Sequence, residues 1–341
     1  MVDIKLIERL IDAHGVSGNE EEVRTIIRRE IEKYVDETYV DKFGNLIAHK
    51  KGKPPRVMLA SHMDEVGLIV RNITDKGNLY VSVIGGLDPV AMIGQRVVIN
   101  AKEKVYGVVS NANLSDGIRV EELPRTKELF VYTGLSKDKL KKIGIEIGSY
   151  VDFISVYPLC CGDVVFGKAL DDRIGCYILI ELIKRLKNAK NEIYFVFTVQ
   201  EEIGLFGART SAYQVEPAWA IVIDVTSTDD VTNVANPTKV LGNGPCLVIK
   251  DAEMITNKCI NGWLKDIAQK KKIPLQLNVT EEGTTDALSI SLSKGGVPST
   301  SVGVLVKNIH STIGAASIND VDNCIALLEE LMKNPPLVCL V

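Results

Sequence analysis

The segment Val57-Met58-Leu59-Ala60-Ser61-His62-Met63-Asp64-Glu65 constrains this chain more than any other. Four apolar residues read as a buried strand, and the run stops abruptly at a His and two carboxylates. In open α/β sheets, functional groups gather where strands end. A His in such a place can ligate a metal through one ring nitrogen, and the Asp two residues on can bind the other nitrogen and fix the tautomer. Taken alone, the segment reads equally well as a polar surface turn, so the rest of the chain has to decide.

The chain has 341 residues, of which 46% are apolar, a size that suits a large domain carrying a second one. Its formal net charge is −4 with Lys and Arg scattered, so no basic stripe points to nucleic acid and no acidic tail points to disorder. No apolar run approaches the roughly 20 residues of a membrane span. The N-terminus, Met1-Val-Asp-Ile-Lys, lacks a signal-peptide core, which implies a cytoplasmic protein. Seven cysteines with no C-x-x-C argue against a disulfide framework or a zinc-thiolate site. The adjacent Cys160-Cys161 reads as buried packing ahead of a redox pair.

Taken in order, residues 3–14 place Ile4, Ile7, Leu10 and Ile11 on one helical face, with Gly15 suited to the position just past the helix end. Ser17-Gly-Asn-Glu20 matches a capping box before a helix that turns Val23, Ile26, Ile27 and Ile31 inward. His14 and His49 have no co-ligands beside them and read as structural or solvated. From Val66 to about Cys161 short β-rich runs recur at Gly67–Asn72, Leu79–Val83, Gln95–Asn100, Val105–Ser110, Glu128–Thr133 and Tyr150–Val156, with turn residues such as Gly85-Gly86 between them. This texture predicts an inserted small barrel or sandwich. After Gly162 strands and helices alternate again, with strands at 192–199, 218–223 and 302–306. Such alternation on both sides of the insertion predicts a single sheet covered by helices on both faces.

Acidic residues recur at element ends. Asp171-Asp172 opens the 174–186 helix, Glu201-Glu202 closes the 192–199 strand, Asp224 closes the 218–223 strand, and His310 follows the 302–306 strand. Singly, these read as helix caps, a solvated turn and a structural His. The sheet topology is expected to bring all of these ends to one edge. Two His with several carboxylates and no thiolate suit two divalent ions, zinc, cobalt or manganese, about 3.5–4 Å apart. Such a pair needs a bridging anion and lowers the pKa of a shared water, the nucleophile. A neighbouring carboxylate that is not a ligand can then move the proton to the leaving amine. The doublet Glu201-Glu202 offers both a base and a ligand.

The ordered set Ser-His62-Met-Asp64-Glu65, Ala-Leu-Asp171-Asp172-Arg173, Val-Gln-Glu201-Glu202-Ile-Gly-Leu, Ile-Asp224-Val-Thr, Gly283-Thr-Thr-Asp286-Ala and Ile-His310-Ser resembles the tetrahedral (TET) aminopeptidases. These are dinuclear metallopeptidases of the glutamyl and deblocking aminopeptidase kind. The resemblance implies an α/β fold: an α/β/α catalytic domain with a central mixed sheet, here residues 1–65 and 162–341, interrupted by a β-barrel dimerisation domain, here 66–161. It implies His62 and Asp224 on one metal, Glu202 and His310 on the other, and Asp171 bridging. It further implies Glu201 as general base and acid, Asp64 as support for His62, and Asp172 as a non-ligand. The expected activity is removal of N-terminal residues from short peptides by a homo-oligomer, a dodecamer in that family. The chain departs from the family's pattern at Val109–Ser115, Val131–Gly134 and Thr312–Ala316. A deacylase or other amidohydrolase on the same scaffold is the alternative, and a non-catalytic assembly protein a third reading.

Overall fold

The structure is a computed structural model that describes residues 2–120, 122–155, 160–187, 190–230, 237–333 and 335. Eight strands form one mixed sheet, in the order Glu37–Val40, Leu46–Lys50, Asn191–Thr198, Lys53–His62, Trp219–Ile223, Ser299–Gly303, Cys246–Lys250 and Gln276–Val279. The four central strands from Asn191–Thr198 to Ser299–Gly303 are mutually parallel. Antiparallel strands flank them on both sides. Side chains alternate across a strand, so neighbouring residues feed different cores. Val57 and Leu59 pack with helices Ile4–Asp12, Glu21–Ile31, Leu170–Arg185, Lys258–Lys271 and Ile318–Lys333. Met58 and Ala60 pack on the other face with helices Phe206–Val215 and Asp286–Ser291. Burial on both faces explains why the run at 57–60 is apolar throughout rather than alternating. The result is the α/β/α sandwich. Among the described residues, no helix is long and apolar enough to cross a membrane.

Between the strand that ends at His62 and the helix that begins at Leu170, six antiparallel strands close a barrel. Their spatial order is Gly67–Ile73, Leu79–Ile84, Phe130–Tyr132, Lys104–Ser110, Arg96–Asn100 and Tyr150–Phe153, and the last pairs with the first. That pairing decides between barrel and sandwich. Val156, in the last of the expected β-rich runs, lies outside the described residues. Leu68, Val70, Val97, Ile99, Val131 and Val151 fill the barrel's own core.

A second sheet runs Cys160–Cys161, Val164–Gly167, Gly314–Ser317, Leu305–Lys307 and Thr226–Ser227. It divides the strand expected at 302–306, because Ser299–Gly303 belongs to the main sheet and Leu305–Lys307 to this one. The break follows Gly303, where a Cβ would lie 1.5 Å from the carbonyl oxygen of Asp224.

Several local readings change. The Ser17 hydroxyl donates to Asp64 Oδ2 at 2.5 Å instead of capping the helix, and Glu20 accepts from the Gly18 amide at 2.6 Å. Gly15 is past the helix end, but its use is close approach, since a Cβ would lie 2.4 Å from Nη2 of Arg173. Cys160 and Cys161 are exposed free thiols, not buried packing, because they form the edge strand of the second sheet. Cys259 is disulfide-bonded, a bridge that the spacing did not signal. His14 lies 3.4 Å from Asp152, and His49 stacks on Tyr194 with Glu192 at 3.2 Å, so both are structural.

The barrel's entry and exit are tied by a buried ion cluster. Glu65, just before the barrel, receives Lys168 Nζ at 2.6 and 2.7 Å and Arg173 Nη2 at 2.9 Å, both from just after it. Arg173 also donates to the carbonyls of Met63, Leu10 and Ala13. Removing one partner from such a cluster leaves buried charge uncompensated. Glu65→Gln is therefore expected to destabilise the protein by about 3–5 kcal/mol in urea unfolding, and a loss under about 1 kcal/mol would show that the cluster holds nothing together.

Candidate metal centre

Three parallel strands deliver three parts of the site at their C-terminal ends. His62 ends Lys53–His62, Glu201 and Glu202 follow Asn191–Thr198, and Asp224 follows Trp219–Ile223. The other two parts come from the second sheet. Asp171 starts the helix after Val164–Gly167, and His310 follows Leu305–Lys307. The expectation that one sheet edge gathers every member therefore holds for three and fails for Asp171 and His310. His310 and Asn308, on its approach, have φ of 53° and 55°, a left-handed backbone that non-glycine residues rarely take and that surrounding structure must hold.

Asp171 stands at the middle. Its Oδ1 lies 3.0 Å from Nε2 of His62, and its Oδ2 lies 3.2 Å from Nε2 of His310. Asp224 Oδ1 is 3.9 Å from the same His62 nitrogen, and Glu202 Oε2 is 3.4 Å from the same His310 nitrogen. Ligand-type atoms of His62, Asp171 and Glu202 lie within 4.8 Å of one another, as do those of His62, Asp172 and Asp224. Asp172 is otherwise engaged. Its Oδ2 accepts from the Ser61 hydroxyl at 2.5 Å and its Oδ1 from the Gly175 amide at 3.0 Å.

Asp64 has a different reach from the one its spacing suggested. The nearest acceptor to Nδ1 of His62 is the Asp64 backbone carbonyl, at 3.1 Å, with the carboxylate at 3.5 Å. The carboxylate instead accepts the backbone amides of Glu201 at 3.0 Å and Glu202 at 3.2 Å, and the Ser17 hydroxyl. It thus holds the peptide that carries both glutamates.

The electrostatics show what this pocket lacks. Burial, then the charges of Asp224 and Asp286, raises the Glu201 carboxyl well above its usual range despite His62. Burial and Asp171 push Glu202 up to about 8. Burial, together with Asp171, pushes Asp224 up to about 8. Burial opposes charge on His62, but Asp171 and Asp64 outweigh it and raise the imidazole well above its ordinary value. Asp171 raises His310 to about 9. Several carboxylates thus compete for too little positive charge, and Glu202 Oε1 is buried with no hydrogen-bond partner. Hard oxygen and imidazole donors with a charge deficit fit divalent cations.

Sequence reasoning gave no role to four supports. Ser61 anchors Asp172. Asp286 accepts from the Thr198 hydroxyl at 2.5 Å behind Glu201. Gly303 admits the Asp224 carbonyl. Gly86, on the barrel side, faces His310, and a Cβ there would lie 2.9 Å from Nδ1 of that ring. The Gly85-Gly86 doublet was visible as a turn, but its contact is long-range and leaves no local signal.

A barrel-interrupted α/β/α scaffold that gathers carboxylates and histidines in this way suits a metal-dependent hydrolase. The M42 glutamyl aminopeptidase family model matches residues 44–327. The lysyl aminopeptidase of Pyrococcus furiosus is 34% identical over 97% of this chain and 98% of its own. The TET aminopeptidase of a marine-sediment archaeon of the Thaumarchaeota superposes with TM-score 0.93 at 35% identity, covering 98% of this chain and 97% of the other. The Pyrococcus horikoshii TET1 peptidase, which can assemble into a tetrahedron or a large octahedral shell, gives 0.85 at 30% identity over 96% and 98%. The chain belongs to the M42 glutamyl aminopeptidase family. It is a metal-dependent aminopeptidase.

The Gly86 contact can be tested without touching a ligand. Gly86→Ala is expected to displace the His310 ring and weaken divalent-ion affinity by about 10–100-fold in competition with a chelating dye. Gly262→Ala, where a Cβ meets nothing within 4 Å, should leave affinity unchanged.

Proposed function

We propose that this enzyme removes N-terminal residues from short peptides at a centre of two divalent ions. His62 and Asp224 would hold one ion, His310 and Glu202 the other, and Asp171 would bridge them. The observation that carries this reading is the placement of Asp171, with one oxygen toward His62 and the other toward His310. Asp172 is given a supporting role outside the ligand set, since hydrogen bonds from Ser61 and Gly175 engage both of its oxygens. Zinc or cobalt suits these donors best, and manganese is compatible with them.

When bound, the ions supply Lewis acidity at the scissile carbonyl and make water a nucleophile near neutral pH. The chain's own residues move the proton. Glu201 faces the same cavity as His62, Asp171, Asp224 and His310. That position suits a group that takes a proton from the attacking water and returns it to the departing amine. Asp64 acts as a positioning residue, since it fixes the Glu201 and Glu202 amides.

The unit at 66–161 is proposed to serve dimerisation. Its exposed Tyr106, Ile118, Leu123 and Tyr132 support that role. The tetrahedron that the Pyrococcus horikoshii relative can form, and the dodecamer seen for a solved TET1 structure, support a dodecamer here. A cytoplasmic location goes with this reading: among the described residues Cys160, Cys161, Cys176, Cys246 and Cys324 are free thiols, and Cys259 alone is disulfide-bonded.

The test is a panel of free-amine aminoacyl substrates and N-acetylated controls, assayed with and without added zinc, cobalt or manganese. Cleavage of free amines alone, abolished by chelation, is the expected result, and cleavage of blocked substrates alone selects a deacylase instead. Glu201→Gln is expected to lose about 10²–10⁴-fold in kcat while keeping its metal. Asp171→Ala should lose metal content as well. Full activity in either variant would refute the assigned roles.

A further inference from the structure

The cavity beside the two histidines, about 260 Å³, has a side that the chemistry above does not use. Val225, Val248 and Ile309 give it an apolar wall, and Asn278 and Thr280 add neutral hydrogen-bonding groups. Beyond the cluster already described, its charged lining residues are Asp251 and Glu282. Among the described residues, no Lys or Arg lines it.

Asp251 is only 4% exposed. Its Oδ1 accepts the backbone amides of Glu253 at 2.9 Å and Met254 at 2.7 Å. Its Oδ2 has only the Thr284 hydroxyl, at 3.4 Å. The adjacent cation, Lys250, is committed elsewhere. Its Nζ donates to the carbonyls of Asp251 and Thr280 and to the Glu281 carboxylate at 2.9 Å. A buried carboxylate facing a cavity with no counter-ion is a costly arrangement unless something cationic enters.

We propose that this cavity receives the side chain of the substrate's N-terminal residue and selects Lys or Arg. The methylene stem would lie along Val225, Val248 and Ile309. The terminal charge would meet Asp251, with the exposed Glu282 at the mouth drawing it in. The same carboxylates repel an acidic side chain, so the glutamyl preference in the family's description does not extend to this chain. The inference rests on the aminopeptidase reading and adds the substrate class to it.

The experiment compares lysyl, norleucyl and glutamyl p-nitroanilides on the metal-loaded enzyme. Norleucine keeps the stem of lysine and lacks only its charge. Binding of free L-lysine and L-norleucine to the same protein is followed by calorimetry. The lysyl substrate is expected to exceed the other two in kcat/KM by at least about tenfold, the scale of one charged hydrogen bond. Asp251→Asn, which can still accept both backbone amides, should lower the lysyl-to-norleucyl ratio by about tenfold or more. Glu282→Gln reads the same ratio from an exposed position, without touching the buried turn, and should lower it by a smaller factor. Norleucyl or glutamyl substrates that match lysyl in the unmodified enzyme would overturn the proposal, as would ratios that neither variant changes. Silence toward every free-amine substrate, with lysine still bound more tightly than norleucine, would sink the aminopeptidase reading and support the selectivity of the cavity.

Discussion

Asp171, Glu201, Glu202 and Asp224 share one buried pocket, and each charge there is costly to keep out of water. Two imidazoles cannot balance them, so the arrangement is stable in its ionised form only when cations enter. Much of the surrounding structure keeps these groups together against their mutual repulsion. The Asp64 carboxylate grips the peptide of both glutamates. Ser61 and Gly175 hold Asp172, and the lack of a side chain at Gly303 lets the Asp224 carbonyl settle against the neighbouring strand. These contacts are mostly between backbone and side chain, which fixes positions to within the tolerance that metal ligation demands.

How much of this could be read from the residues depended on the range of the signal. The 57–62 strand was legible because burial on both faces leaves an unbroken apolar run. The barrel strands were legible because turn residues punctuate them. Asp171-Asp172, Glu201-Glu202, Asp224 and His310 could be picked out because polar residues interrupt apolar elements, and the choice within each pair rested on the resemblance to the TET aminopeptidases. Their assembly from two sheets could not be seen, since nothing local distinguishes a strand that continues from one that changes sheets after Gly303. Ser17 looked like a helix cap because a hydroxyl three residues before a Glu usually is one, yet a buried carboxylate offered a stronger acceptor. Cys160-Cys161 looked buried because its neighbours are apolar, yet an edge strand leaves its outer side uncovered.

The barrel is more than an appendage to this centre. Gly85 and Gly86 bring its backbone against Glu202 and His310, where even a methyl group on Gly86 would press on the imidazole. The departures from the family's pattern at 109–115 and 131–134 lie elsewhere in the barrel. Residues 112–115 form a short exposed helix, and Thr133 and Gly134 follow strand Phe130–Tyr132.

The ion cluster of Glu65, Lys168 and Arg173 has a further consequence for how the protein comes to be active. Its members are 103 and 108 residues apart in the chain, and His62 and Asp171 are 109 apart. Closing a loop of that length costs chain entropy, a cost that grows only slowly with loop length. Here that loop contains the whole barrel. A chain that ends inside the barrel lacks Lys168, Asp171 and Arg173, so it can complete neither the cluster nor the contact between His62 and Asp171. The barrel's two connections to the catalytic domain thus meet at the centre itself.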